Sequence, residues 1–153
     1  MTRTRIGIDP DTLKSGIAIL SGGTLLVECL PFAELVERLR VYKDDAMVTI
    51  EAGWLISHNW HTGYKDRTGV IAKKGYDVGR NHQTGILIAE MCKHIGIDYQ
   101  LVKPLPKCWH GKDKKITHEE FVKFAGLRRI AVTAKRTNQE MRDAGLIAML
   151  VNG

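Results

Sequence analysis

The sequence predicts an α/β fold, with a five-stranded mixed sheet flanked by helices. Three observations predict it. Three short β-rich runs follow one another across turns, which suggests an antiparallel meander. Helical periodicities then alternate with two further apolar runs, giving the order β-β-β-α-β-α-β-α-α. Two of the apolar runs also end on a carboxylate. With 44% hydrophobic and 26% charged residues among 153, the composition is that of one globular core, read as a single domain over residues 1–153.

Residues 5–9 form an apolar strand with almost no polar face. Strands over 16–20 and 24–30 follow, separated by the turn residues Ser21, Gly22 and Gly23. Pro31, tolerated in a first helical turn, opens a helix to about Tyr42 in which Leu35, Leu39 and Val41 keep apolar spacing. A fourth strand covers 46–51. Residues 52–80, rich in Gly, Lys and aromatics, give no clear element. A helix over about 83–94 stops at Gly96, and a fifth strand over 99–103 stops at Pro104. Thr117 and Glu120 make a capping box for a helix over 118–126, and the last helix spans about 138–150.

Asp9 and Glu51 each end an apolar strand, where a carboxylate is expensive to bury without a partner. If the two strands are neighbours, the acids meet at one sheet edge. Glu140 and Asp143, spaced i, i+3, share one face of the last helix. Gathered acids repel one another unless a cation lies between them, and an all-oxygen site suits Mg²⁺ or Mn²⁺. Two such ions would assist in-line cleavage of a phosphodiester. Taken singly, each acid reads equally well as a turn or solvated helix residue.

The charge is uneven. Lys and Arg total 23 against 17 acids, net +6, and residues 103–136 alone hold ten basic residues and three acids. Such a stretch fits a polyanion such as nucleic acid, or a solvated surface. The apolar runs are too short to cross a membrane, and the N-terminus turns acidic before a signal-type run could form. Three widely spaced cysteines without a CxxC pair fit a reducing compartment, so a cytoplasmic protein is expected. Phosphate-loop, dinucleotide, serine-hydrolase and zinc-protease motifs are absent. His58 with His61, and Cys108 with His110, fall short of a zinc ligand set.

Three segments carry a family resemblance. Ile6-Gly7-Ile8-Asp9-Pro10 followed by Gly16-Ile17-Ala18-Ile19-Leu20 resembles the opening of RuvC-type Holliday-junction resolvases, which have the ribonuclease H-like fold. Thr49-Ile50-Glu51, with Trp54 three residues on, resembles their second acidic motif and nearby aromatic, and Glu140-Met141-Arg142-Asp143-Ala144 resembles the C-terminal helix motif. Two positions depart from the pattern: Asp11 stands where Gly is common after Asp-Pro, and Glu140 where Asp or His is commoner.

The resemblance implies that Asp9, Glu51 and Asp143 ligate two Mg²⁺ ions, with Mn²⁺ as a substitute, and that Glu140 is the fourth acidic group. It also implies that Lys112, Lys114 and Lys115, before a helix, contact a DNA backbone; Lys107, Arg128, Arg129, Lys135 and Arg136 would widen that track. Trp54, Trp60 and Tyr64 are candidates for stacking on unpaired bases, or for anchoring a loop. His82 is a candidate for proton transfer, or a surface histidine. The expected substrate is branched DNA, foremost the four-way junction, cut by a homodimer whose seam is the helix over 83–94. Two other readings stay open: the same fold acting on RNA, as in ribosomal-RNA precursor processing, and a non-catalytic junction-binding protein.

Overall fold

The apolar runs form the centre of one mixed sheet. In the computed structural model, which describes residues 2–56 and 68–152, β1 (Thr4–Asp9), β2 (Ser15–Ser21) and β3 (Thr24–Leu30) make the antiparallel meander. Gly22 and Gly23 turn β2 into β3 with φ of 58° and 80°, a left-handed pair that glycine adopts without strain. After α1 (Phe32–Val41) the chain returns as β4 (Ala46–Glu51), which pairs with β1 in parallel. The helix α2 (Thr68–Ile95) leads to β5 (Asp98–Val102), parallel to β4. Then come α3 (His118–Leu127), β6 (Ala131–Val132) and α4 (Gln139–Leu150), and the strand order is β5-β4-β1-β2-β3-β6.

The sheet therefore has six strands where five are predicted. The sixth, β6, is two residues long and exists because Ala131 N–H donates to Gly23 O at 2.9 Å and Thr133 N–H to Leu25 O at 3.1 Å. A two-residue edge strand has no periodicity to detect. Likewise α2 begins at Thr68, far upstream of residue 83, because Gly69, Gly75 and Gly79 interrupt its early turns and mask the helical pattern. Its end is as expected: Gly96, at φ +85°, donates to Cys92 O at 3.0 Å. The Thr117–Glu120 capping box is present in both directions.

Helices cover both faces of the sheet. On one face Ile6, Ile8, Ile17 and Ile19 pack with Leu35 and Leu39 of α1 and Ile88 and Cys92 of α2. On the other, Ala18, Leu20, Leu25 and Val27 pack with Phe121 and Ala125 of α3 and Ala144 and Met149 of α4. Because strand side chains alternate, β1 sends Ile6 and Ile8 to the α1–α2 side, and Gly7 and Asp9 to the α4 side. Gly7 and Gly16 bring α4 down onto the strands. A Cβ at Gly7 would lie 2.3 Å from Ala144 O, and one at Gly16 only 2.1 Å from Glu140 O.

Candidate active site

The site grows out of one register. Ile8 pairs with Ile50 in the parallel β1–β4 ladder, so Asp9 and Glu51 leave the sheet side by side at its C-terminal edge. Gly16 pairs with Asp9 across β1–β2, and above it lies the backbone of Glu140. The first turn of α4 is thereby pressed over the two strand ends. Asp9, Glu51, Glu140 and Asp143 consequently line one hollow of about 230 Å³, together with Asp11, Asn81, Lys107, Lys115 and Gln139.

The electrostatics show how closely the acids are gathered. Burial pushes the Asp9 carboxyl well above the ordinary carboxylate range, and the charges of Glu51, Asp143 and Glu140 push it further. Glu51 is raised by burial and by Asp143. Asp143 is raised by burial, against a hydrogen bond from Gln139 Nε2 to its Oδ1 at 2.8 Å. Lys115 works in the opposite direction on all three, and Lys107 on Glu51 and Asp143.

Lys115 reaches the hollow from a strained loop. Trp109 N–H donates to Lys114 O at 2.9 Å and Gly111 N–H to Lys115 O at 2.8 Å, while Asp113 and Lys114 take left-handed φ of 55° and 60°. A Cβ at Gly111 would lie 2.4 Å from Lys115 O, so only glycine fits there. The next residue, Ile116, is buried in the α3–α4 core, and its carbonyl accepts from Arg142 Nε at 2.9 Å. Arg142 also donates to Thr137 O at 2.6 Å. One arginine of α4, beside Asp143, thus ties the lysine loop to the acid helix.

The loop after Asp9 is braced in the same manner. Ser15 Oγ accepts from Asp11 N–H at 3.0 Å, and Asp11 Oδ1 accepts from Leu13 N–H at 3.0 Å. Asn81 of α2 accepts from both Thr12 N–H and Thr12 Oγ1, at 3.1 and 3.0 Å. The extra acid at position 11 therefore serves a turn as well as lining the hollow. A wider cleft of about 470 Å³ adjoins the acids, lined by Trp54, His82, Asn81 and Leu105 besides Asp9, Glu51 and Lys107. Trp54 meets His82 edge to face at 6.2 Å and is seated against Gly85 of α2, where a Cβ would lie 2.6 Å from its ring. Burial lowers the His82 pKa.

The predicted basic residues are divided, with Lys107 and Lys115 lining the acidic hollow and Arg128 and Arg129 a separate one. Lys107 and Lys115 are at the acids; Lys112 and Lys114 are exposed on their loop and are not part of that hollow. Lys135 and Arg136 are exposed on the approach to α4 and do not line it either. Arg128 and Arg129 are at the opposite edge of the sheet, because β6 runs in register with the start of β3 and carries the preceding turn with it. His110 is bonded to Glu120 Oε2 at 2.8 Å and not to Cys108. Trp60, Tyr64, His58 and His61 lie outside the described residues. Sequence reasoning passed over Asn81 and Gln139, and quoted Gly7, Gly16 and Arg142 within motifs without giving them a role. Each acts on another residue around the site.

The acids offer oxygen donors, the ligand chemistry of Mg²⁺ or Mn²⁺, and burial first, then their neighbours' charges, raises their pKa values. Among the described residues no three Asp, Glu, His or Cys side chains converge on one point. The four acids share the lining of one hollow without forming a ready-made ligand set.

A mixed sheet that opens with an antiparallel meander, helices on both faces and acids at the edge where β1 and β4 end: this is the ribonuclease H-like fold. Among solved structures, the chain is similar to RuvC of Thermus thermophilus in complex with a Holliday junction substrate, at TM-score 0.57 and 16% identity, over 97% of this chain and 92% of that one. A second Thermus thermophilus RuvC structure matches at TM-score 0.44 and 15% identity, over 95% and 91%. The chain matches no protein-family model and no curated protein sequence. The fold is thus that of RuvC. No helix among the described residues is long and apolar enough to cross a membrane.

Proposed function

We propose that the chain is a divalent-metal-dependent endonuclease that cleaves phosphodiester bonds in branched DNA, foremost four-way junctions. The observation that carries this reading is the hollow in which Asp9, Glu51, Glu140 and Asp143 lie with Lys107 and Lys115. Asp9, Glu51 and Asp143, with Glu140 as the fourth group, would hold Mg²⁺ or Mn²⁺. Such ions supply positive charge to the attacking and leaving oxygens. Lys107 and Lys115 would meet the non-bridging oxygens of the same phosphate, and the tie of Lys115 to Gly111, with that of neighbouring Ile116 to Arg142, holds the Lys115 segment in place before substrate arrives. Water adds to phosphorus as the bond to the 3′ oxygen breaks. Trp54, on the wall of the adjoining cleft, would stack on an unpaired base at the branch. Lys112 and Lys114, exposed on the same loop as Lys115, would meet the flanking backbone.

A junction with two-fold symmetry needs two such sites, hence a homodimer. The half-exposed Ile86 and Leu87 of α2 support a seam on that helix. The free cysteines Cys29, Cys92 and Cys108 fit the cytoplasm.

The test is cleavage of four-way, three-way and linear DNA, and of structured RNA, with and without Mg²⁺. Wild type is expected to cut the four-way junction only with the ion. Asp9→Asn and Glu51→Gln should each lose about a thousandfold, the several kcal/mol that metal assistance is worth at about 1.4 kcal/mol per tenfold. Full activity in either variant would sink the metal mechanism, and preference for RNA would sink the substrate.

A further inference from the structure

The edge of the sheet opposite the acids carries a second charged feature. Where β1 begins and β2 turns into β3, a hollow of about 630 Å³ is lined by Arg3, Arg5, Arg128 and Arg129, and none of its lining residues is acidic. The six residues of β1 separate it from the acidic hollow by roughly 17 Å at about 3.3 Å per residue. Arg128 and Arg129, expected in one track with the lysines at the acids, line this separate hollow with Arg3 and Arg5.

Three of the four guanidinium groups are held by contacts that leave other N–H groups free to donate. Arg3 pairs with Asp98. Arg5 donates to Asn152 Oδ1 at 2.9 Å. Arg128 donates to Met149 O at 3.2 Å and lies over the Phe124 ring at 5.6 Å. Arg129, whose side chain lines the hollow, closes α3 at φ +58°, its N–H donating to Gly126 O at 3.0 Å and that of Ile130 to Ala125 O at 2.9 Å. The planar fork of arginine matches phosphate oxygens two at a time, which a lysine cannot do.

We infer that this hollow is a second nucleic-acid contact, gripping the backbone phosphates of a duplex segment other than the one at the acids. The concave shape and several fixed forks suit a ridge of phosphates better than the flat face of a lipid layer. The inference shares with the proposed function only that nucleic acid binds; it needs no cleavage.

The test is fluorescence anisotropy of a labelled duplex of about 20 base pairs in EDTA, over about 50 to 200 mM NaCl. The protein variants are wild type, Arg3→Gln/Arg129→Asn and, as a control of equal charge, Lys43→Gln/Lys93→Gln. Asn suits the left-handed backbone at position 129, so that variant should fold. The arginine pair should weaken binding about tenfold and flatten the log–log salt dependence by about two, at about 0.9 per phosphate contact, while the lysine pair should leave the slope as it was. Restoring charge with Arg3→Lys/Arg129→Lys should restore most of the slope. An unchanged slope in the arginine variant, or an equal loss in the lysine control, overturns the inference. So does arginine-dependent capture by phosphatidylserine vesicles with duplex binding unaltered. Junction cleavage measured on the same proteins keeps the two claims apart. Cleavage with an unchanged slope overturns this inference alone, and a reduced slope without any cleavage overturns the proposed activity alone.

Discussion

The two ends of the β1–β4 sheet centre are opposites in charge and in construction. At the C-terminal end five carboxylates line a small hollow and two lysines partly offset them. At the other end four arginines line a larger hollow without an acid among the lining residues. Net charge conceals this, because the +6 of the chain is a sum over both ends. The acidic end is assembled by backbone contacts that leave no slack, with α4 pressed on Gly7 and Gly16. The arginine end is assembled by side chains reaching from β1 and from the turn between α3 and β6. A change at the first should therefore move chemistry, and a change at the second should move binding alone.

Lys115→Ala gives the largest effect by which that contrast can be broken. Removing one preorganised donor to a developing oxyanion costs about 10²–10³-fold in kcat. A loss of that size on four-way junctions, with duplex affinity in EDTA nearly unchanged, is expected from single-turnover cleavage beside anisotropy. If Lys115→Ala instead weakens binding and leaves single-turnover cleavage intact at saturating protein, the lysine belongs with the phosphate-gripping residues and the division of labour fails.

Gly16→Ala is next. Its Cβ would meet Glu140 O at 2.1 Å, which no rotamer can relieve, so α4 must move off the strand. About 1–3 kcal/mol of stability should be lost, as for other overpacked contacts, and a displacement near 1 Å of the acid helix should cost about 10² in cleavage. Gly22→Ala, where a Cβ meets nothing within 4 Å, tests the opposite end. It should lower urea stability through its positive φ while leaving cleavage by the folded protein as it was. Equal cleavage by Gly16→Ala and wild type would show that α4 is not held where the structure puts it.

These substitutions also show why part of the site was legible in the sequence. Asp9 and Glu51 could be read because strands of pure apolar residues rarely end in acids, and the pair Glu140 and Asp143 because i, i+3 is a local rule. Convergence depended on β1 and β4 being parallel neighbours, which the pattern permitted and the register supplied. The basic segment misled because closeness along the chain was taken for closeness in space. Lys115 and Arg128 are thirteen residues apart in sequence and at opposite edges of the sheet. Gly16 gave no signal because a glycine in a strand does not declare what lies over it. Arg142 and Asn81 gave none because their partners, Ile116 and Thr12, are distant in sequence and only the fold brings them near.

The smallest expected effect concerns the cost of keeping acids together. Asp9, Glu51 and Asp143 all have carboxyls raised above their ordinary values in the fold. The folded state therefore holds more protons than the unfolded chain between the ordinary carboxylate range and the raised values. Stability from this source is full below the ordinary range, near pH 4, and is lost as pH rises through the raised values. Asp9→Asn removes the most strongly raised of the three. Without metal it should be more stable than wild type at neutral pH by about 1–2 kcal/mol, as is common when an active-site strain is removed. The gap should close on acidification, and Mg²⁺ should raise the wild-type melting temperature more than that of the variant. Urea titrations at a series of pH values in EDTA, repeated with Mg²⁺, measure both. If Asp9→Asn is no more stable at neutral pH, or gains as much from Mg²⁺ as wild type, the acidic end is not a site kept under repulsion for a cation.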